Sequence, residues 1–361
     1  MPDTNVRTMA HSQWKNRPAD ERFSDIMSLK ASVDARRSVS MTEDISANRM
    51  TFHTQGENLI AKSPLLGTMI PTNWAFGQTA ALVGAPAAYL RRLPPHLAVD
   101  CLNHGLALRA EEGVRLYAAD GVEDDSGISI CELRSTNSQT YGRIFDADCV
   151  NATLRIVEHS DNQFFSPWAW GKTHRALFAS DRDIFLFYCD GGSIVDGGGD
   201  RDQMHRGFFL WNSEVGASTF GLAAFLFRSV CGNFQIWDMQ DARVLKIRHT
   251  SGGPERFVTE AIPALNKYLN ASAVPVEAQV KRAKQFLLPA KQEDLFSFFL
   301  KHQLTKAEVN RAKTFAEQEE GQFATLWDAV NGFTAAARML AYADASTDLS
   351  RRAGSLMALV A

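Results

Sequence analysis

Hydrophobic and polar positions sort the chain into four stretches. Residues 1–50 are polar with both charge signs, and only Phe23, Ile26, Met27, Leu29 and Val33 come close to helical spacing. This predicts a partly disordered polar tail with one short helix. From residue 70 to 110 the spacing turns helical. Thr72 or Asn73 caps a helix starting at Trp74, whose turns are marked by Trp74, Ala75, Gln78, Thr79 and Leu82. Gly84 and Pro86 stop it, a second helix follows around Ala87–Leu93, and a third carries Pro95 in its first turn.

Residues 114–250 read as short β-rich runs bounded by Gly, Asp and Ser: GVRLYAAD, GISICELRS, ATLRIVEHS, DIFLFYCDGGSIVDGGGDRD and ARVLKIRHTSG. The cluster Gly197–Gly199 suits a solvated loop. Residues 255–361 return to helical spacing, with Trp327, Val330, Phe333 and Ala337 on one stripe. The expected fold is α+β, with a central antiparallel-rich sheet flanked by N-terminal and C-terminal helical regions in a single domain over 51–361.

RGFFLWNSEVGASTFGLAAFLFRSVCGNFQIW, Arg206–Trp237, is the most apolar long stretch. Both strand faces are apolar until Asn212, which predicts a strand sandwiched between layers. Asn212, Ser213 and Glu214 then interrupt it, and Cys231, Gly232 and Asn233 close the next run. Such groups make Asx or hydroxyl turns, or they form the polar rim of a site at Asn212, Glu214 and Asn233.

Composition narrows the classes. Hydrophobic residues make up 45% and charged residues 22% of the chain, as in globular proteins. The net charge of −3 gives no global attraction to nucleic acid, so such binding needs a local basic patch. The five cysteines are widely spaced without a CxxC pair, which argues against a zinc ribbon or a disulfide framework. No apolar run approaches the roughly 20 residues of a membrane span. These features predict a cytoplasmic protein without a membrane partner.

Three sets of residues carry candidate chemistry. Arg134, Tyr141, Arg143, Arg206, Lys246 and Arg248 combine cations with an aromatic, the pairing that single-stranded nucleic acid favours. Arg91 and Arg92 add to them, although compensation of a helix dipole explains that pair equally well. Asp183, Glu214 and His249 are the residues that would hold a divalent metal if they converged, but no spacing motif joins them. Lys281, Arg282, Lys284, Lys306, Arg311 and Lys313 form a mildly basic helical zone that reads as a solvated face. SIVDGGGDRD lacks GxGxxG spacing, and GxxxxGK[ST], HExxH and GxSxG are absent from the sequence.

NWAFGQTAALVGAPAAYLRRLP, DRDIFLFYCD, HRGFFLWNSEVGASTFGLAAFLFRSVCGNFQIW, LKIRH and TLWDAVNGFTAAAR occur in this order. From about Asn73 onward the chain resembles the phage/plasmid-like family, conserved domain of unknown function 932. The resemblance implies a mobile-element or prophage setting and assigns no catalytic residue. The leading expectation is a nucleic-acid-binding accessory protein acting on single-stranded DNA in recombination or replication, without cofactor or bond breaking. The alternatives are a metal-dependent phosphodiesterase or nuclease and an anti-defence module that binds a host or phage protein. Self-association is open.

Overall fold

The computed structural model describes residues 22–56, 58–123, 129–158, 164–165, 177–196, 203–228, 233–235, 245–270, 274–319, 321–338, 349 and 352–360. Its strands are β1 (Arg22–Phe23), β2 (Met41–Ser46), β3 (Thr51–Gln55), β4 (Asn58–Ser63), β5 (Gly67–Pro71), β6 (Gly113–Glu123), β7 (Ser129–Ser138), β8 (Phe164–Phe165), β9 (Leu177–Ala179), β10 (Ile184–Asp196), β11 (Gln203–Asn212), β12 (Phe220–Arg228), β13 (Asn233–Gln235) and β14 (Leu245–Ile247). The α+β class and the antiparallel pairing hold. The strands fall into two sheets, however, where one central sheet was expected. The first runs β1-β9-β10-β11-β12-β13, with β8 beside β10 and β14 beside β12. The second runs β2-β6-β7-β5-β4-β3, and β5 lies parallel to β7.

The short helix expected in the N-terminal fifty residues is present, but the loose tail around it needs correction from residue 22 onward. Residues 22–50 are part of the fold. Helix Ile26–Ser38 buries Leu29, Val33 and Arg36, and β2 pairs with β6. Polarity hides this because the buried positions include charge. Arg36 occupies a core position, and buried Glu43 accepts hydrogen bonds from Ser63 Oγ (2.5 Å), Leu65 N (3.0 Å) and Leu66 N (3.2 Å). ATLRIVEHS is the second correction. Through Glu158 it belongs to helix Asp146–Glu158, which starts on two acids and buries Ala147, Val150 and Leu154. The Gly197–Gly199 expectation and Cys231 lie outside the described residues.

β11 is sandwiched, as its pattern predicts. Phe208 and Leu210 join a core with Leu186, Tyr188, Val150 and Leu154. On the opposite face Phe209 stacks on Phe187 at 5.4 Å and on Trp211 at 5.3 Å. Each such buried side chain contributes about 1.5–3 kcal/mol. Gly221 sits opposite Trp211 on β12, where an added Cβ would fall 1.8 Å from the indole. The glycine is what lets the ring lie flat across the neighbouring strand.

One face of the second sheet packs Leu116, Ala118 and Leu133 against Phe76, Ala80, Leu102 and Leu106 of helices Asn73–Leu82 and Pro95–Ala107. Thr72 caps the first of these helices by accepting from Ala75 N at 3.0 Å, as expected. At the β3 edge Asn103 receives a hydrogen bond from Phe52 N (2.7 Å) and donates one to Phe52 O (2.9 Å). The amide thereby occupies backbone groups that would otherwise invite another strand.

Helices Val274–Gln285, Gln292–Lys301, Lys306–Glu319 and Leu326–Arg338 form the C-terminal layer, and Trp327, Val330, Phe333 and Ala337 all point into its core. Reciprocal Thr305/Glu308 and Thr325/Asp328 caps open the last two helices. Among the described residues, no helix is long and apolar enough to cross a membrane.

Candidate functional site

The polar triplet after β11 organises a buried ion cluster. Glu214 Oε1 lies 3.0 Å from Arg36 Nε, 3.9 Å from Arg134 Nε and 3.1 Å from the donating Tyr117 hydroxyl. Its Oε2 accepts from Asp146 N at 3.2 Å. Asp146 in turn pairs with Arg36 Nη2 at 2.9 Å and accepts from Asn212 Nδ2 at 2.7 Å. Burial, and then the neighbouring Glu214, hold the Asp146 carboxyl well above the usual carboxylate range against the pull of Arg36. Burial likewise raises the Tyr117 phenol. A β-bulge supplies Arg134. Tyr117 pairs with Ser135 and Ala118 with Leu133, so Arg134 is the extra residue in β7, the position a bulge re-aims.

This cluster braces two turns. In the turn after β11, where Gly216 takes φ +90°, the carbonyls of Ser213, Glu214 and Val215 are each held by side chains. Tyr141 donates to Ser213 O at 3.0 Å, and Arg143 donates to Glu214 O. Val215 O accepts from Trp74 Nε1 (3.1 Å), Gln78 Nε2 (2.8 Å) and Asn137 Nδ2 (3.3 Å). The other turn, Ser180–Asp183 between β9 and β10, is held by Arg36 to Ser180 O (3.2 Å), Arg134 to Asp181 O (2.9 Å) and Ser213 Oγ to Arg182 O (2.6 Å). A network of buried hydrogen bonds this dense favours one arrangement of the backbone.

Helix Asn73–Leu82 and the Ser180–Asp183 turn wall a cleft of about 570 Å³ lined by Asn73, Trp74, Gly77, Gln78, Ala81, Arg91, Asp181 and Arg182. Its volume is typical of small-ligand sites. Trp74 is half-buried and fixed through its N–H. Arg91 and Arg182 are exposed. Arg91 Nη2 donates to Asn73 O at 3.0 Å, and Arg182 Nε stands 3.8 Å from Asp181 Oδ1. The cleft thus brings an aromatic ring and two solvent-facing guanidinium groups into one lining, the combination that can stack a base and neutralise phosphate.

The expected nucleic-acid contacts fare differently. Arg134, Arg143 and Arg206 are 3%, 9% and 3% exposed, so they cannot reach a phosphate strand. The first two serve the ion cluster and its turn, and Arg206 lies within the first sheet. Tyr141 offers no free stacking face, since His249 covers it at 5.2 Å and Arg143 lies 5.3 Å from the ring. Lys246 is half-buried on β14, and Arg248 is exposed just past it. They form no track with the other four. The metal constellation also fails to assemble. Asp183 bonds Ser180 Oγ, Glu214 is locked in the cluster and His249 stacks on Tyr141. Among the described residues, no three His, Cys, Asp or Glu side chains are placed to hold a metal ion. Of the rim residues, Asn212 is fully buried and Asn233 begins β13. Sequence reasoning passed over Arg36, Asp146, Trp74 and Arg182. The cap before Trp74 and the basic pair at Arg91–Arg92 were the available signals for the cleft.

His249 yields a pH prediction. Burial pulls its imidazole down to about 4, and the nearby Arg143 pulls the same way. The unfolded chain therefore binds more protons than the fold between about pH 6.5 and 4, so the stability His249 supports is present above that window and lost on acidification. Relative to His249→Phe, the wild-type protein is expected to lose unfolding free energy steadily across this range in urea titrations. A constant difference between the two would refute it.

The chain belongs to the family described as domain of unknown function DUF932, whose model matches residues 135–360. The match begins well after Asn73, where the resemblance was expected to start. It takes in the first sheet except β1, the turns at Ser180–Asp183 and Ser213–Gly216, and the C-terminal helices. Most of the second sheet and the helical wall of the cleft lie outside it. No curated protein and no solved structure matches the chain.

Proposed function

We propose that this protein is an accessory nucleic-acid-binding protein of phage or plasmid type that holds single-stranded DNA during recombination or replication in the cytoplasm, without breaking bonds. The observation that carries this reading is the cleft lined by half-buried Trp74 together with the exposed Arg91 and Arg182. It supplies the two elements of sequence-tolerant single-strand binding, a stacking surface and backbone neutralisation. The mobile-element setting rests on the sequence blocks around RGFFLWNSEVG and on nothing in the geometry.

Because the chain as a whole is slightly anionic, attraction must come from this local pair. Binding to a single-stranded oligonucleotide should therefore be measurable at low salt and weaken steeply as salt rises. The absence of binding in low-salt titrations would remove the reading.

A further inference from the structure

The cleft's own polar inventory restricts what part of a nucleic acid it takes. The Trp74 N–H is committed to Val215 O. The Gln78 amide is committed at both ends, to Val215 O and to Thr136 N. What is left of the lining to meet a ligand is the Trp74 ring, the exposed Asn73 amide, the guanidinium groups of Arg91 and Arg182 and the carboxylate of Asp181. The two cations come from different walls, one following helix Ala87–Leu90 and the other from the β9–β10 turn. The carboxylate beside Arg182 disfavours a run of successive phosphates. It suits a hydroxyl or amino donor of the same nucleotide instead.

Size and charge agree with this. A cleft of about 570 Å³ matches one small ligand, whereas strand-binding grooves track about 4–16 nucleotides. A phosphate monoester carries about −1.5 to −2 charge near neutrality, which two guanidinium groups can share. An internal phosphodiester carries a single charge and needs an exit for chain on both sides.

We propose that the cleft seats a single nucleotide bearing a terminal phosphate monoester, with the phosphate between Arg91 and Arg182, the base on Trp74 and Asp181 accepting from a sugar hydroxyl or base amino group. This deepens the single-strand reading and rests on the same cleft. The nucleotide is either the end of a DNA strand or free in solution.

Isothermal titration separates these sources, using a short oligothymidine with a phosphate at either end or at neither, free thymidine monophosphate, and thymidine. The expected result is a preference of about tenfold for a phosphorylated end, lost in Arg182→Ala. Competition by thymidine monophosphate but not by thymidine would support the same assignment. Equal affinity for phosphorylated and unphosphorylated strands, both weakened by Arg182→Ala, would overturn the terminal-phosphate assignment and leave strand binding intact. Binding of the mononucleotide without any oligonucleotide would uphold the pocket and overturn the DNA reading. If no probe bound, both would fall. Urea unfolding of Arg182→Ala, whose side chain is exposed, verifies that the variant is folded.

Discussion

Glu214→Ala is expected to destabilise the protein by about 3–5 kcal/mol, the cost typical of removing one partner from a buried ion pair. Glu214 and Asp146 are 3% and 1% exposed, and the guanidinium groups of Arg36 and Arg134 point at the Glu214 carboxylate. Without it, those cations stay buried with less countercharge, the Tyr117 hydroxyl loses its acceptor and Asp146 N loses its own. Asp146→Asn should cost clearly less, because burial and Glu214 already hold Asp146 toward its neutral form. Urea unfolding of the two variants reads the order. A loss for Glu214→Ala within about 0.5 kcal/mol, the range of ordinary surface substitutions, would show that the cluster does not brace the fold.

The second large effect concerns binding. Replacing Arg91 and Arg182 together with alanine is expected to weaken single-stranded oligonucleotide binding about 100-fold at low salt, roughly tenfold for each charge-assisted contact. The slope of log affinity against log salt should shrink by about 0.7, since the two side chains share one phosphate and each phosphate contact to a single strand contributes about 0.7. Both side chains are exposed, so stability should change little. Lys246→Ala with Arg248→Ala serves as the comparison and should leave both affinity and slope near wild type. Unchanged binding in the cleft variant would place the contact elsewhere.

What the sequence made legible is what apolar spacing encodes. The sandwiched β11, the Thr72 cap and the Trp327–Ala337 stripe all follow from local periodicity, and all are present. The Asp146–Glu158 helix was misread because its β-branched end, Thr153 to Val157, is strand-like when taken apart from the acidic first turn. Within residues 22–50 the short helix is legible, but its place in the core is not, for a related reason. Arg36 and Glu43 sit at buried positions, so an apolar count scores the segment as solvated. The site itself is a long-range object. Arg36 and Asp146 are 110 residues apart, and Glu214 lies a further 68 beyond Asp146. No local pattern declares such a pairing. The triplet Asn212-Ser213-Glu214 looked anomalous in an apolar run for a physical reason that only the fold supplies: it is the point where the end of one sheet is bonded to the face of the other.

The most direct test of the account is where nucleic acid touches the chain. Ultraviolet crosslinking of a short single strand, followed by peptide mapping, should place adducts on Trp74 and on the peptides carrying Arg91 and Arg182. Adducts concentrated instead on Lys246–Arg248, or on the basic helical faces from Lys281 to Lys313, would contradict it.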